Sequence, residues 1–349
     1  MEANSATPPS EPLGNFGGDV TQFDVVGLGN AIMDALVQLP NDDVLADLGY
    51  ARGQMTPVDD KQWQTAHDLV SAHGVELASG GSCANTIAAM GLMGAKVSYA
   101  GRVGNDSLGT AYTASLEDAC GHHALQISAT HKTGKCLSLI SADAERTMLT
   151  DLGASVTMEG LGRFDEQIRT AGILHVTGYL LLGEPMASRC MEAIAIANQE
   201  QICVSIDVAD PFVVGACKDA ISHILEEFAD VVFMNADEAK ALLGCGPEEA
   251  AKRLSEDVAH VVVKTGSSGS IVAHGGKIHR VGIHPTSAID TTGAGDAYAA
   301  GYLYGLARGW GAARCGDLGA RVASLSVGQV GAVCRDRDAL NAAVSAAEK

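Results

Sequence analysis

The chain has 349 residues, a formal net charge of −19, 47% hydrophobic residues and only 4% aromatic ones. That length suits one large α/β domain with an accessory piece, and the apolar content suffices for a substantial core. The acidic surface repels nucleic acid and anionic membranes, the scarce aromatics offer no platform for stacked bases, and no apolar run approaches the roughly 20 residues of a membrane span.

The first 20 residues, "MEANSATPPSEPLGNFGGDV", are polar and rich in Pro and Gly. Without a basic n-region or an apolar h-region they read as a flexible tail ahead of a domain over 21–349, not as a signal peptide. "FDVVGLGNAIMDALVQLP" (23–40) starts as a buried strand and continues as an alternating one. The stretch 59–78 has helical spacing, "ANTIAAMGLMG" (84–94) reads as a helix closed by glycine, "KVSYAGRVG" (96–104) as a strand and 107–120 as a helix. "KCLSLISADAERTMLT" (135–150) then looks like two strands joined by a turn near Ala142–Glu145. Together, 32–56 and 125–150 form a candidate small sheet apart from the main body, a lid. From 172 onward strands ("GILHVTGYLL", "ICVSID", "DVVFMN", "HVVVKTG", "GSIVAHGG") alternate with helices at 185–200, 215–228, 236–243, 296–308 and 312–327. That βα rhythm predicts a largely parallel, doubly wound sheet covered by helices on both faces.

Nine cysteines are scattered with no C-x-x-C pair, which argues against a zinc ribbon and for reduced, mostly buried thiols of a cytoplasmic protein.

Two stretches carry chemistry. "DTTGAGDAYAAG" (290–301) puts Gly293-Ala294-Gly295 at the start of a helical pattern that begins at Asp296. Free N–H groups, the helix dipole and small side chains make such a start an anion site. A carboxylate there suits a general base that activates a hydroxyl for in-line attack on a phosphate, although Asp296 also suits a plain helix cap. "GGSCANTIAAMGLMG" (80–94) pairs Gly80 and Gly81 ahead of a helix, with Asn85 in its first turn able to bond a diol or to serve as a local cap.

In combination, "GGSCANTIAAMGLMG" and "DTTGAGDAYAAGYLYGL", about 200 residues apart, resemble the two signature stretches of the ribokinase-like (PfkB) carbohydrate and nucleoside kinases, and the resemblance covers roughly 23–335. It implies a doubly wound α/β sandwich with a β lid, and ATP-dependent phosphorylation of a hydroxymethyl group. It also implies roles for single residues. "GLGNAIMD" resembles the family's first strand, where Asn30 and Asp34 contact sugar hydroxyls alongside Gly80, Gly81 and Asn85. "NADE" resembles the N-x-x-E element in which Asn235 and Glu238 organise water around Mg²⁺ and the phosphates, while both residues also suit a helix N-cap. "KTGSSGS" matches a turn near the nucleotide, with Thr265, Gly266 and Gly269 as contacts. Arg146 matches an arginine that reaches the phosphates, and Asp290 and Thr292 lie where many members bind a monovalent cation such as K⁺.

"GLGNAIMD", "GGS" and "DVADPF" (207–212) resemble the adenosine kinase branch, which implies conversion of adenosine to AMP at the 5′-hydroxyl. The substrate strand departs from that branch: Tyr179-Leu180 stands where its eukaryotic members carry an aromatic pair, so another nucleoside or a ribose-like sugar stays open. Two other classes fit less well. A nicotinamide-dependent oxidoreductase finds only two glycines of G-x-G-x-x-G in "GLGNAI", with Ile32 at the third. A non-catalytic nucleoside sensor would need no Asp296. Walker A and H-R-D strings are missing from the sequence. Whether the chain is a monomer or a homodimer is not written in it.

Overall fold

The computed structural model describes residues 21–141 and 145–349. The N-terminal tail, and the turn expected near Ala142–Glu145 except for Glu145 itself, lie outside the described residues.

One eight-stranded sheet forms the centre, in the order Lys277–Val281, Ser270–His274, His260–Lys264, Val231–Asn235, Cys203–Asp207, Ala171–Thr177, Phe23–Leu28, Val97–Ala100. The strands from His260–Lys264 to Val97–Ala100 pair in parallel, and the two at the other edge run antiparallel. Runs such as Val231-Val232-Phe233-Met234 and Val261-Val262-Val263 are wholly buried because helices cover both faces, so they show no alternation. One face packs Met186–Gln199, Pro211–Glu227, Ala236–Leu243 and Pro247–Leu254 over Leu174, Val204 and Val232. The other packs Ser82–Leu92, Ala294–Leu306 and Ala312–Val327 over Val25, Ile173 and Phe233. The expected α/β fold, a largely parallel sheet flanked by helices, is met among the described residues.

A second sheet of five strands runs Met55–Pro57, Arg146–Asp151, Gly134–Ile140, Ile32–Gln38, Glu76–Gly80. Leu137, Leu139 and Leu149 pack there with Trp63, Ala66 and Val70 of the helix Asp60–Val70, a small core separate from the main ones. Short connectors join the two sheets. Gly29–Ala31 links Phe23–Leu28 to Ile32–Gln38, and Gly81 links Glu76–Gly80 to the helix Ser82–Leu92.

Several element boundaries differ from the expectations. The stretch 23–40 is two strands in two sheets, and 96–104 is also split, with Arg102–Gly104 pairing Gln126–Ser128. The helix expected over 59–78 ends at Val70, and Glu76–Gly80 pairs antiparallel with Ile32–Leu36. The strand expected over 172–181 stops at Thr177 and continues as a 3₁₀ turn, Gly178–Leu182.

Candidate active site

In an open parallel sheet, ligands bind outside the carboxyl ends of the strands. At that edge here, Phe23–Leu28 leads to Asn30, Ala171–Thr177 leads to Tyr179, and three neighbouring strands end on Asp207, Asn235 and Lys264.

The helix Ala294–Leu306 starts at the same edge. Its N-cap Gly293 adopts φ +67°, a left-handed conformation, and no side chain caps the helix. A side chain at Gly293 would also strike Ala332, with its Cβ 2.5 Å away. Residues 297–306 are all buried between neighbouring helices, so the start of this helix is held rigidly. The helix begins two residues earlier than expected, which puts Asp296 at its third position.

Asp296 does not cap its own helix. Its carboxylate turns to the other signature stretch, where Ser82 Oγ donates to Oδ1 (2.7 Å) and Asn85 Nδ2 donates to Oδ2 (2.8 Å). Thr86 Oγ1 donates to the Asp296 carbonyl (3.2 Å). Two stretches over 200 residues apart therefore meet at one carboxylate. Burial raises its pKa from 3.8 to about 6, against the hydrogen bonds from Asn85 and Ser82. It is thus largely ionised at neutral pH yet close enough to accept a proton, as a general base requires.

Beside it lies a polar recess around Asp34, whose charge meets that of Asp296. Asp34 is half-buried, and burial lifts its pKa to about 6, with Arg146 opposing and the Asp296 and Asp290 charges adding. A Cβ at Gly80 would stand 2.3 Å from Asp34 Oδ2, and one at Gly81 would stand 2.2 Å from the Asn30 carbonyl oxygen. Gly81 also has φ +96°. The glycine pair is thus required by the protein's own packing around Asn30 and Asp34. Asn30 Oδ1 and Asn85 Oδ1 are buried with no hydrogen-bond partner among the described residues. Orphaned acceptors of this kind suit the hydroxyls of a ligand.

Arg146 reaches this recess from the second sheet. Its guanidinium donates to Ser138 Oγ (2.6 Å) and to Thr292 Oγ1 in the loop before the helix. Asp290 organises that loop, accepting from Thr292 N (2.9 Å), Thr292 Oγ1 (2.5 Å) and Gly331 N (3.0 Å). Burial would raise the Asp290 pKa, but the Thr292 and Gly331 hydrogen bonds prevail and lower it.

At the end of the strand Val231–Asn235, Asn235 and Glu238 form a complete capping box. Asn235 N donates to Glu238 Oε2 (2.7 Å), Asn235 Nδ2 to Oε1 (2.6 Å), and Glu238 N to Asn235 Oδ1 (2.9 Å). Glu238 is 2% exposed, and burial together with the Asp207 charge pushes its pKa up to about 7. The Thr265–Gly269 turn follows Lys264; Thr265 N and Oγ1 both donate to the Gly269 carbonyl (2.8 and 2.9 Å), while Gly266 is exposed.

One expected pair divides. Tyr179 is partly buried, and burial raises its pKa, with the charges of Asp210, Asp296 and Asp207 adding, so it lies near the cleft. Leu180 is 0% exposed and belongs to the core under the helix layer, which corrects its expected place against a substrate. The 3₁₀ turn sends successive side chains about 120° apart, so the two cannot share a face.

Sequence reasoning passed over three residues of the cleft: Ser82, Asp207 and Lys264. Lys264 Nζ donates to Asp207 Oδ2 at 2.8 Å.

The profile of the pfkB family of carbohydrate kinases matches residues 48–336. The chain is 28% identical over 341 residues to an adenosine kinase of Saccharomyces cerevisiae, spanning 88% of this chain and 95% of that one. Among solved structures it resembles a probable sugar kinase from Rhizobium etli (TM-score 0.86, 29% identity, 94% of this chain and 99% of that one). It also resembles the adenosine kinase of Sinorhizobium meliloti (TM-score 0.84, 29% identity, 93% and 99%). The chain belongs to the PfkB family of carbohydrate kinases, enzymes that transfer a phosphoryl group to a hydroxyl.

Proposed function

We propose that this kinase phosphorylates the 5′-hydroxyl of a nucleoside, with adenosine the preferred acceptor and ATP the donor. The observation that carries the chemistry is the Asp296 carboxylate, fixed by Ser82 and Asn85 at the uncapped start of a buried helix. In this reading the γ-phosphate rests against Gly293, Ala294 and Gly295, whose backbone N–H groups face the charge that develops in transfer. The acceptor's ribose lies in the recess of Asn30, Asp34, Gly80, Gly81 and Asn85, with Tyr179 toward its base.

Asp296 takes the 5′-hydroxyl proton as the oxygen forms its bond to Pγ. The bond from Pγ to the β–γ bridging oxygen breaks, and ADP leaves with that electron pair. Arg146, reaching across from the second sheet, offsets charge on the transferred group, and the sheet acts as a lid that keeps water from consuming ATP. Thr265, Gly266 and Gly269 border the nucleotide.

A divalent ion such as Mg²⁺ would supply charge neutralisation on the phosphates. The donor set fits an ion held through water: Asn235 and Glu238 are bound to each other, and the described residues contain no cluster of three His, Cys, Asp or Glu arranged to grip a metal. Asp290 and Thr292 are assigned a monovalent cation such as K⁺ at the loop they organise. In this reading the protein serves nucleoside salvage in the cytoplasm.

Adenosine kinases of similar length among the relatives support the nucleoside branch. A sugar acceptor is the second reading, favoured by the probable sugar kinase among the neighbours and by the loss of Leu180 from the cleft. The test is ADP release with Mg-ATP and a panel of adenosine, inosine, guanosine, cytidine, ribose and fructose. Turnover strongest on adenosine is expected. A free sugar outpacing every nucleoside would overturn the substrate and leave the chemistry standing. Binding without turnover on any of them would favour the sensor.

A further inference from the structure

The anion site has a cationic side chain that neither the family resemblance nor the reading above uses. Lys264 ends the strand His260–Lys264, and its ammonium lies against the second residue of the uncapped helix: a Cβ built on Gly295 would stand 2.9 Å from Nζ. Only glycine at 295 lets the ammonium come this close to the backbone N–H groups. The side chain is 16% exposed, and Asp207, whose side chain is 6% exposed, holds Nζ at 2.8 Å. Asp207 is in turn fixed by the Ala209 N–H, which donates to Oδ1 (2.9 Å).

The surrounding charge explains why the ammonium stays protonated. Burial works against it, but Asp207, Glu238 and Asp296 prevail and hold its pKa above 10.5. Three carboxylates around one ammonium leave the cleft negative, the wrong sign for a triphosphate. Arg146 approaches from the opposite sheet, by Thr292, and so serves the other side of the transferred group.

We infer that Lys264 is a catalytic residue, a fixed positive charge that contacts the phosphate seated on Gly293–Gly295, and that Asp207 is the positioning residue that aims it. This deepens the kinase reading above and rests on it. As the bond to the β–γ bridging oxygen breaks, negative charge moves from the γ-phosphate toward ADP. A preorganised ammonium beside Gly295 stabilises that charge without having to reorganise.

The test uses the full-length protein with Mg-ATP and the acceptor that gives the fastest wild-type turnover in the panel. Lys264→Met is expected to lower kcat by about 10²–10³ while the acceptor KM stays within threefold. Lys264→Ala should regain at least tenfold of its lost turnover when ethylammonium is added, a response that a purely structural lysine would not give. Asp207→Asn should lose about tenfold in kcat and show no ethylammonium response. Should Lys264→Met fail to fold, Lys264→Gln, which keeps a donor for Asp207, carries the same comparison. A kcat within threefold of wild type in a folded Lys264 variant overturns the inference, as does a loss in Lys264→Ala that ethylammonium cannot relieve. Asp296→Asn assayed in parallel separates the two ideas. If it stays active while Lys264→Met is dead, the base assignment fails and Lys264 stands; the reverse pattern sinks Lys264 alone.

Discussion

Replacing Asp296 by Asn should make the protein more stable and nearly inactive at once. The folded protein lifts this carboxyl from 3.8 to about 6. At 1.36 kcal/mol per tenfold, keeping it ionised in the fold costs about 3 kcal/mol at pH 8. The sign follows from the folded pKa lying above the unfolded one. The native state binds the proton more tightly, so the cost is absent below about pH 4, grows between 4 and 6, and is complete above 6. Asparagine removes the charge but turns an amide N–H toward one of the two donors, Ser82 or Asn85, which returns about 1 kcal/mol. The net expectation is a gain of about 2 kcal/mol at pH 8 that shrinks to nothing or reverses near pH 4. Denaturant melts at the two pH values read it directly, and ADP release should fall by about 10²–10⁴ with acceptor binding kept. A variant that is less stable than wild type at pH 8, or that turns over within tenfold of it, would refute the reasoning.

Other substitutions probe separate parts of the site. Gly81→Ala forces a Cβ into the Asn30 carbonyl at φ +96°, and should destabilise by about 2 kcal/mol or more and raise the acceptor KM at least tenfold, measured by melts and steady-state kinetics. Arg146→Met should lower kcat by roughly 10² and leave the melting midpoint of the main body within a few degrees, since its hydrogen bonds among the described residues go to Ser138 and Thr292. Leu180→Ala should cost about 2–5 kcal/mol as a core truncation while KM changes less than threefold; a large KM change with little loss of stability would return Leu180 to the substrate face.

The fold and the centre of the site were legible because their signals are local. The alternation of apolar runs with helical spacing from 172 onward needs no partner to be read, and the glycine strings at 80–81 and 293–295 sit next to the side chains they serve. What stayed hidden depends on partners far along the chain. Asp207 and Lys264 are 57 residues apart, and neither "DVADPF" nor "KTGSSGS" announces the other. Ser82 shows no role within its own motif, because its target is 214 residues away. Glu76–Gly80, "ELASG", has no β-branched residue and poor strand propensity; pairing with Ile32–Leu36 makes it a strand. The pair Tyr179-Leu180 divides because neither a strand nor the 3₁₀ turn found there puts consecutive side chains on one face.

The connectors between the sheets have a consequence for affinity. Gly29–Ala31 and Gly81 are where the second sheet would pivot, and they hold Asn30 and the glycine that packs against it. A bound acceptor spanning Asp34 on the second sheet and Asn85 on the helix Ser82–Leu92 of the main body would therefore act as the latch of the joint it occupies. Its apparent dissociation constant would equal the intrinsic one divided by the latched fraction. The little core of Trp63, Leu137 and Leu149 then works as a distant dial: loosening it would weaken acceptor binding without altering a single atom that touches the acceptor.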